Sequence, residues 1–244
     1  MRPCTVAPYF GSPLFEEEVH VSETYNSPLV SGWAYAALRP EVANSAAAKV
    51  AAPLAEVPGQ HGDVRLTPVA HAFLAYWWHI RGDKPMPDAH DVSLPQMRTL
   101  SPYVRYLHWD GDALIHRLWG SALTEGVGVD MTGEDLIQYI PIEKREANHA
   151  VFRALHEQPC GVVLVVRDAG ERGSGMSAEL SFLPVAAPNG QGQRLIGTMQ
   201  WRQTEGVLSA ATTRSGTGDK LMLECASFMD LGAGTADPEL LERL

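Results

Sequence analysis

Residues 103–119 read YVRYLHWDGDALIHRLW, two runs rich in aromatic and branched side chains on either side of Asp110 and Gly111. Paired runs of this kind around an Asp-Gly step predict a β-hairpin. Plain alternation along the second run, Ala113 to Trp119, sends Leu114, His116 and Leu118 to one face and Ile115, Arg117 and Trp119 to the other. Both faces then carry apolar groups, and each needs a cover.

The covers are predicted from the flanking sequence. Thr67 is a good helix N-cap and Pro68 suits the first helical position. Val69, Ala72, Phe73, Tyr76, Trp77 and Ile80 follow three-four spacing, and Gly82 ends the helix after Arg81. Leu74 and Trp78 lie beside that stripe, so this helix packs either wholly on its own core or partly on a second subunit. Prolines 85, 87 and 95 punctuate the next stretch around a helical turn near Leu94 to Leu100. After Gly120 come short helical pieces at Ser121 to Glu125 and Glu134 to Tyr139, then a helix opened by Pro141 and closed at Gln158, with Ala147, Ala150, Val151, Ala154 and Leu155 on its buried side. Val162 to Val166, Glu179 to Val185 and Leu195 to Trp201 are three further strands. The order is α+β with five antiparallel strands. It lacks the strand-helix alternation of a parallel nucleotide-binding sheet.

Around this core, residues 1–66 form a Pro/Ala-rich extension expected to be mostly disordered, or to dock through Trp33, Tyr35 and Leu38. Residues 204–244 read as an acidic tail in which only Leu221 to Met229 and a last helix near Asp237 and Pro238 have the apolar content to order. The chain has 244 residues, 45% of them hydrophobic, and a formal net charge of −10, a balance that disfavours a phosphate-backbone binder. No apolar run reaches the roughly 18 residues of a membrane span, and the amino terminus lacks the continuous apolar stretch of a secretion signal, so the expected compartment is the cytoplasm. Cys4, Cys160 and Cys225 are an odd number at long spacings, which fits neither a disulfide framework nor a paired-cysteine metal site.

Between Thr67 and Gln203 the chain resembles a bacterial family of single-domain PAS-like sensors. The resemblance rests on Tyr76, Trp77, Arg81 and Gly82 at the end of the opening helix, then Pro87, Asp91, Leu94 and Pro95. It continues through Arg117, Leu118 and Gly120, where bulky Trp119 replaces the usual small residue, then Thr132, Gly133, Asp135 and Leu136, and finally Leu183 and Pro184. The resemblance implies a PAS-like five-stranded antiparallel sheet with helices on one face and the opening helix on the other, used for sensing or protein interaction. It implies no fixed catalytic set and leaves the cofactor unknown, since PAS-like domains hold haem, flavin, organic acids or nothing.

The residues themselves offer few chemical signatures. A nucleophile elbow, a phosphate-cradling Gly loop with Lys and a His-Glu-x-x-His helix are absent as literal strings. Gly170, Gly173 and Gly175 suit a hairpin loop. His71 and His79, and His149 and His156, sit two helical turns apart, about 11 Å of rise, too far for one ion. His116 is the residue singled out, as a core histidine or a ligand contact, with Leu118, Cys160, Met199 and Trp201 as companions in a ligand-binding interior. Arg117 is a candidate buried charge, and Tyr76, Trp77 and Trp78 are structural or interface residues. The expected function is a cytoplasmic sensor or adaptor that acts on a regulatory protein in trans and takes a small molecule, with homodimerisation through the opening helix. The alternative is a small-molecule enzyme that uses His116 as acid or base.

Overall fold

The computed structural model describes residues 66–168, 176–188, 193–203 and 221–244. The expected extension, the Gly170 to Gly175 loop and the 204–220 stretch lie outside the described residues, apart from Leu66. The elements are α1 (Pro68–Arg81), α2 (Leu94–Met97), β1 (Val104–Asp110), β2 (Ala113–Trp119), α3 (Ser121–Val127), α4 (Arg145–Glu157), β3 (Cys160–Asp168), β4 (Met176–Ala186), β5 (Gln193–Gln203), β6 (Leu221–Asp230) and α5 (Glu239–Glu242). Short 3-10 turns cover Arg98–Tyr103, Leu136–Tyr139 and Ile142–Lys144.

The strands form one sheet in the order β2-β1-β5-β4-β3-β6, with every pair antiparallel. The fold class is α+β, as expected, but the sheet has six strands rather than five. The sixth is Leu221–Asp230, the apolar piece read as part of the tail. It runs along β3 from Cys160 opposite Asp230 to Asp168 opposite Leu221. Its residues Cys225 to Met229 are all buried, so neither of its faces shows the polar-apolar alternation of a half-exposed strand. Behind it, Asp237 Oδ1 accepts the Glu239 amide at 3.0 Å and starts α5, whose Leu241 is buried.

α1 begins where its cap predicts. Thr67 Oγ1 accepts the Ala70 amide, and Glu179 takes both the Thr67 amide and its hydroxyl, at 3.0 and 2.7 Å. At the other end Gly82 has φ 59°, a backbone conformation that favours glycine. α1 packs on one face of the sheet against Val104, Val163, Leu183, Val185, Ile196 and Met229. α4 packs on the opposite face against Leu107, Val162, Leu164, Phe182 and Phe228, with the Phe152 and Phe182 ring centres 4.7 Å apart and the rings tilted by 50°. Among the described residues no helix is long and apolar enough to cross a membrane.

The sheet's free edge at β2 is satisfied locally. The His116 amide donates to the Glu134 carbonyl at 3.0 Å, the Gly133 amide to the His116 carbonyl at 2.8 Å, and Asp135 Oδ1 accepts the Leu114 amide at 2.9 Å. These bonds give the edge the partners that an open strand would seek elsewhere. Phe228→Ala should cost about 3 kcal/mol, the low end for a buried phenylalanine, if β6 is integral to the core. The urea unfolding midpoint reads this directly, and an unchanged midpoint would return residues 221–230 to the tail.

Candidate functional site

The polar interior lies on the α4 face of the sheet, and a β-bulge decides its membership. The β1–β2 register slips between Tyr106 opposite Leu118 and Leu107 opposite His116, which leaves Arg117 as the extra residue. A one-residue slip reverses every side chain beyond it. Leu118 therefore packs with the α1 cluster rather than beside His116, and Trp119 turns inward toward His116. Arg117 is exposed, so the expected buried charge is not there. Arg105, opposite Trp119 on β1, is the buried arginine instead.

Arg105 is 1% exposed, with its guanidinium 3.9 Å from the Phe182 ring centre. Its Nη2 reaches the Ser181 carbonyl at 3.5 Å, the outer limit of a hydrogen bond, and its Nε has no partner among the described residues. Burial pulls its pKa down to about 9. That Ser181 carbonyl is available because Gly197 has no side chain: a Cβ there would lie 1.8 Å from it. The Ser181 hydroxyl accepts the Thr198 amide at 2.9 Å in the same irregular stretch of β4 and β5.

His116 is equally buried. Its Nδ1 lies 3.2 Å from the Glu134 carbonyl. A carbonyl only accepts, so Nδ1 carries the proton and Nε2 is left with a free lone pair. Among the described residues Nε2 is buried without a partner, as is the indole Nε1 of Trp119, whose ring meets the imidazole edge-on at 5.0 Å. Burial, and then the nearby Arg105 charge, lower the His116 pKa to about 4. Arg105, His116 and Trp119 thus stand together on one face as a fixed cation and two polar rings with unused hydrogen-bonding atoms.

The other residues singled out by sequence are dispersed. Met199 is buried with Leu123 of α3 and Ala178, next to Trp119. Trp201 pairs with Ala178 in β5, and its side chain lies outside the described residues. Cys160 opens β3 among the α4 contacts, apart from the His116 group, and burial pushes its thiol up to about 11. It is a free thiol, whereas Cys225 on β6 is disulfide-bonded, so the cysteines do not all remain thiols. The Tyr76 hydroxyl accepts the Ser93 amide at 2.7 Å, and the Trp77 indole donates to the Pro184 carbonyl at 3.0 Å. Trp78 is 8% exposed and carries the Arg81 guanidinium 4.0 Å above its ring, while Arg81 also donates to the Leu231 carbonyl. Both indoles are thus covered within the chain.

Two surface features had no sequence signal. A cleft of about 470 Å³ beside the hairpin turn is lined by Asp112, Asp135, Arg145, Glu146 and His149 among others. Arg145 is committed there to the Ile140 and Gln138 carbonyls at 2.9 Å. Asp88, His90 and Asp91 could bring three ligand atoms together, but Lys84 already pairs with both carboxylates.

A family model described as PAS domain matches residues 66–200. No curated protein matches the chain.

Two measurements follow from the interior. A buried cation costs several kcal/mol to desolvate, and hydrophobic replacement of such a group is often neutral or stabilising by about 1–4 kcal/mol. Arg105→Met should accordingly fold with equal or greater stability by urea titration. A marked loss would make the guanidinium a structural clamp. His71, His116 and His156 each have their pKa lowered from 6.5 to about 4, chiefly by burial. The folded state holds them neutral, so the stability they contribute is complete above pH 6.5 and is lost as pH falls toward 4. The slope should approach about 1.4 kcal/mol per pH unit for each histidine in that window. Unfolding free energies that stay flat from pH 7 to 5 would contradict this.

Proposed function

The chain belongs to the PAS domain family of sensing and signalling modules, and from that premise we propose that it is a sensor or adaptor whose interior beneath α3 takes a small molecule and whose output passes to a regulatory protein in trans. The observation that carries the reading is the buried Arg105–His116 pair. Each residue keeps a polar atom unpartnered inside the fold. Interiors normally satisfy such groups, and an uncompensated charge is retained at a cost in stability. A cytoplasmic location agrees with this reading.

The sheet face supports a route from interior to surface. Trp119 leads directly through Gly120 into α3, and α3 packs by Leu123 on Met199 and Ala178. A change at Arg105 or His116 therefore bears on α3 without crossing the sheet. A homodimer through the opening helix would need surface other than the Trp77–Trp78 pair, which the chain itself covers.

Affinity capture tests the reading with three full-length proteins: wild type, Arg105→Met and the surface control Arg117→Gln. The sensor reading expects recovery of at least one specific partner to change several-fold in Arg105→Met and to stay constant in Arg117→Gln. Equal recovery by all three would remove the interior from signalling. Turnover of a small molecule that is abolished in His116→Ala would favour the enzyme alternative.

A further inference from the structure

We infer that the Arg105–His116–Trp119 cluster recognises a small organic carboxylate that also carries a hydroxyl group. This deepens the sensor reading and rests on it. The three residues offer an unusual combination. Arg105 supplies one fixed positive charge with Nε–H unpaired, and Trp119 supplies a second unpaired N–H donor. Each would find its acceptor in a carboxylate oxygen.

The guanidinium is oriented before any ligand arrives. Its Cζ sits over the Phe182 ring, 3.9 Å from the ring centre, so the buried group is held in place from one side. Among the described residues no carboxylate lies against it, and its hydrogen bond there is the long contact to the Ser181 carbonyl, a neutral acceptor. A single positive charge matches one carboxylate. A phosphate dianion would bring more charge than this interior compensates.

His116 adds the second requirement. Its Nδ1 proton is committed to the Glu134 carbonyl, so the buried Nε2 is an acceptor that would repel an anionic oxygen and welcome a hydroxyl proton. A simple halide or acetate uses the guanidinium but leaves this lone pair unused. A hydroxy acid uses both, with carboxylate to Arg105 and hydroxyl O–H to His116. Sites that hydrogen-bond a substrate hydroxyl discriminate strongly against the analogue lacking it, because the buried partner is then stranded. The polar atoms of the cluster are closed to solvent in this structure, so entry requires α3 or the Trp119 ring to give way.

The test uses the full chain and isothermal titration with lactate, malate and citrate, set against propionate, the corresponding amides and inorganic phosphate. At least one hydroxy acid should bind saturably, at least tenfold more tightly than its deoxy or amide analogue. Affinity should fall at least tenfold in Arg105→Met and hold in Arg117→Gln. Should Arg105→Met fail to fold, His116→Phe serves, with the expectation that the preference for a hydroxyl disappears. Carboxylate binding of equal strength in wild type and Arg105→Met would overturn the proposal. So would amides that bind as well as acids, although the interior would then still be a ligand site and the sensor reading would stand. No binding by acids, amides or a wider set of neutral small molecules would remove both.

Discussion

A sheet buried on both faces has no neutral side on which to put a misdirected residue, and that constraint governs this structure. Every strand must send apolar groups both ways, to α1 on one face and α4 on the other, so a shift of one position exchanges two cores. The bulge at Arg117 makes such an exchange halfway along β2. It sends Leu118 to the α1 core, moves an arginine head into water and turns Trp119 inward. Trp119 joins Arg105 and His116 in the polar interior because of that one unpaired residue.

The interior in turn explains an apparent conflict between stability and composition. Arg105 is among the largest fully buried side chains, yet among the described residues its compensation comes from an aromatic face and a distant carbonyl. Fully apolar packing would satisfy the fold more cheaply. Gly197 shows how local the accommodation is: a methyl group there would collide with the carbonyl that Arg105 reaches. The β4–β5 ladder is interrupted between Leu180 opposite Met199 and Leu183 opposite Ile196, and the Ser181 carbonyl that the guanidinium reaches lies in that gap. In the cleft at the hairpin turn Arg145 is already bonded to two carbonyls, and in the acidic group around Asp88 the Lys84 ammonium pairs with both carboxylates.

Much of the fold was legible in the sequence because its signals are local. The limits of α1 are written in Thr67, Pro68 and Gly82, and the hairpin in Asp110 and Gly111, where the geometry needs only neighbouring residues. β6 was legible only as an apolar piece: buried on both faces at Cys225 to Met229, it lacks the alternation that marks a strand, and its partner β3 is far away in sequence. The candidate site was half legible. His116 is marked by its place between leucines in a strand, whereas plain alternation buries Arg117 and gives no sign of Arg105. Period-two reasoning has no way to see a bulge, which depends on how β2 pairs with β1. The residues that carried the family resemblance act mainly as fasteners, as when Trp77 of α1 bonds the carbonyl of Pro184.

The position of β6 also sets an order of assembly. β3 has one neighbour, β4, that follows it closely and another, β6, that is made only after β4 and β5. A nascent chain emerging from the ribosome can thus assemble five strands while the outer rim of β3 still has its amide and carbonyl groups unmatched. Completion waits on the last strand, and in that interval the growing protein presents an adhesive rim to its neighbours.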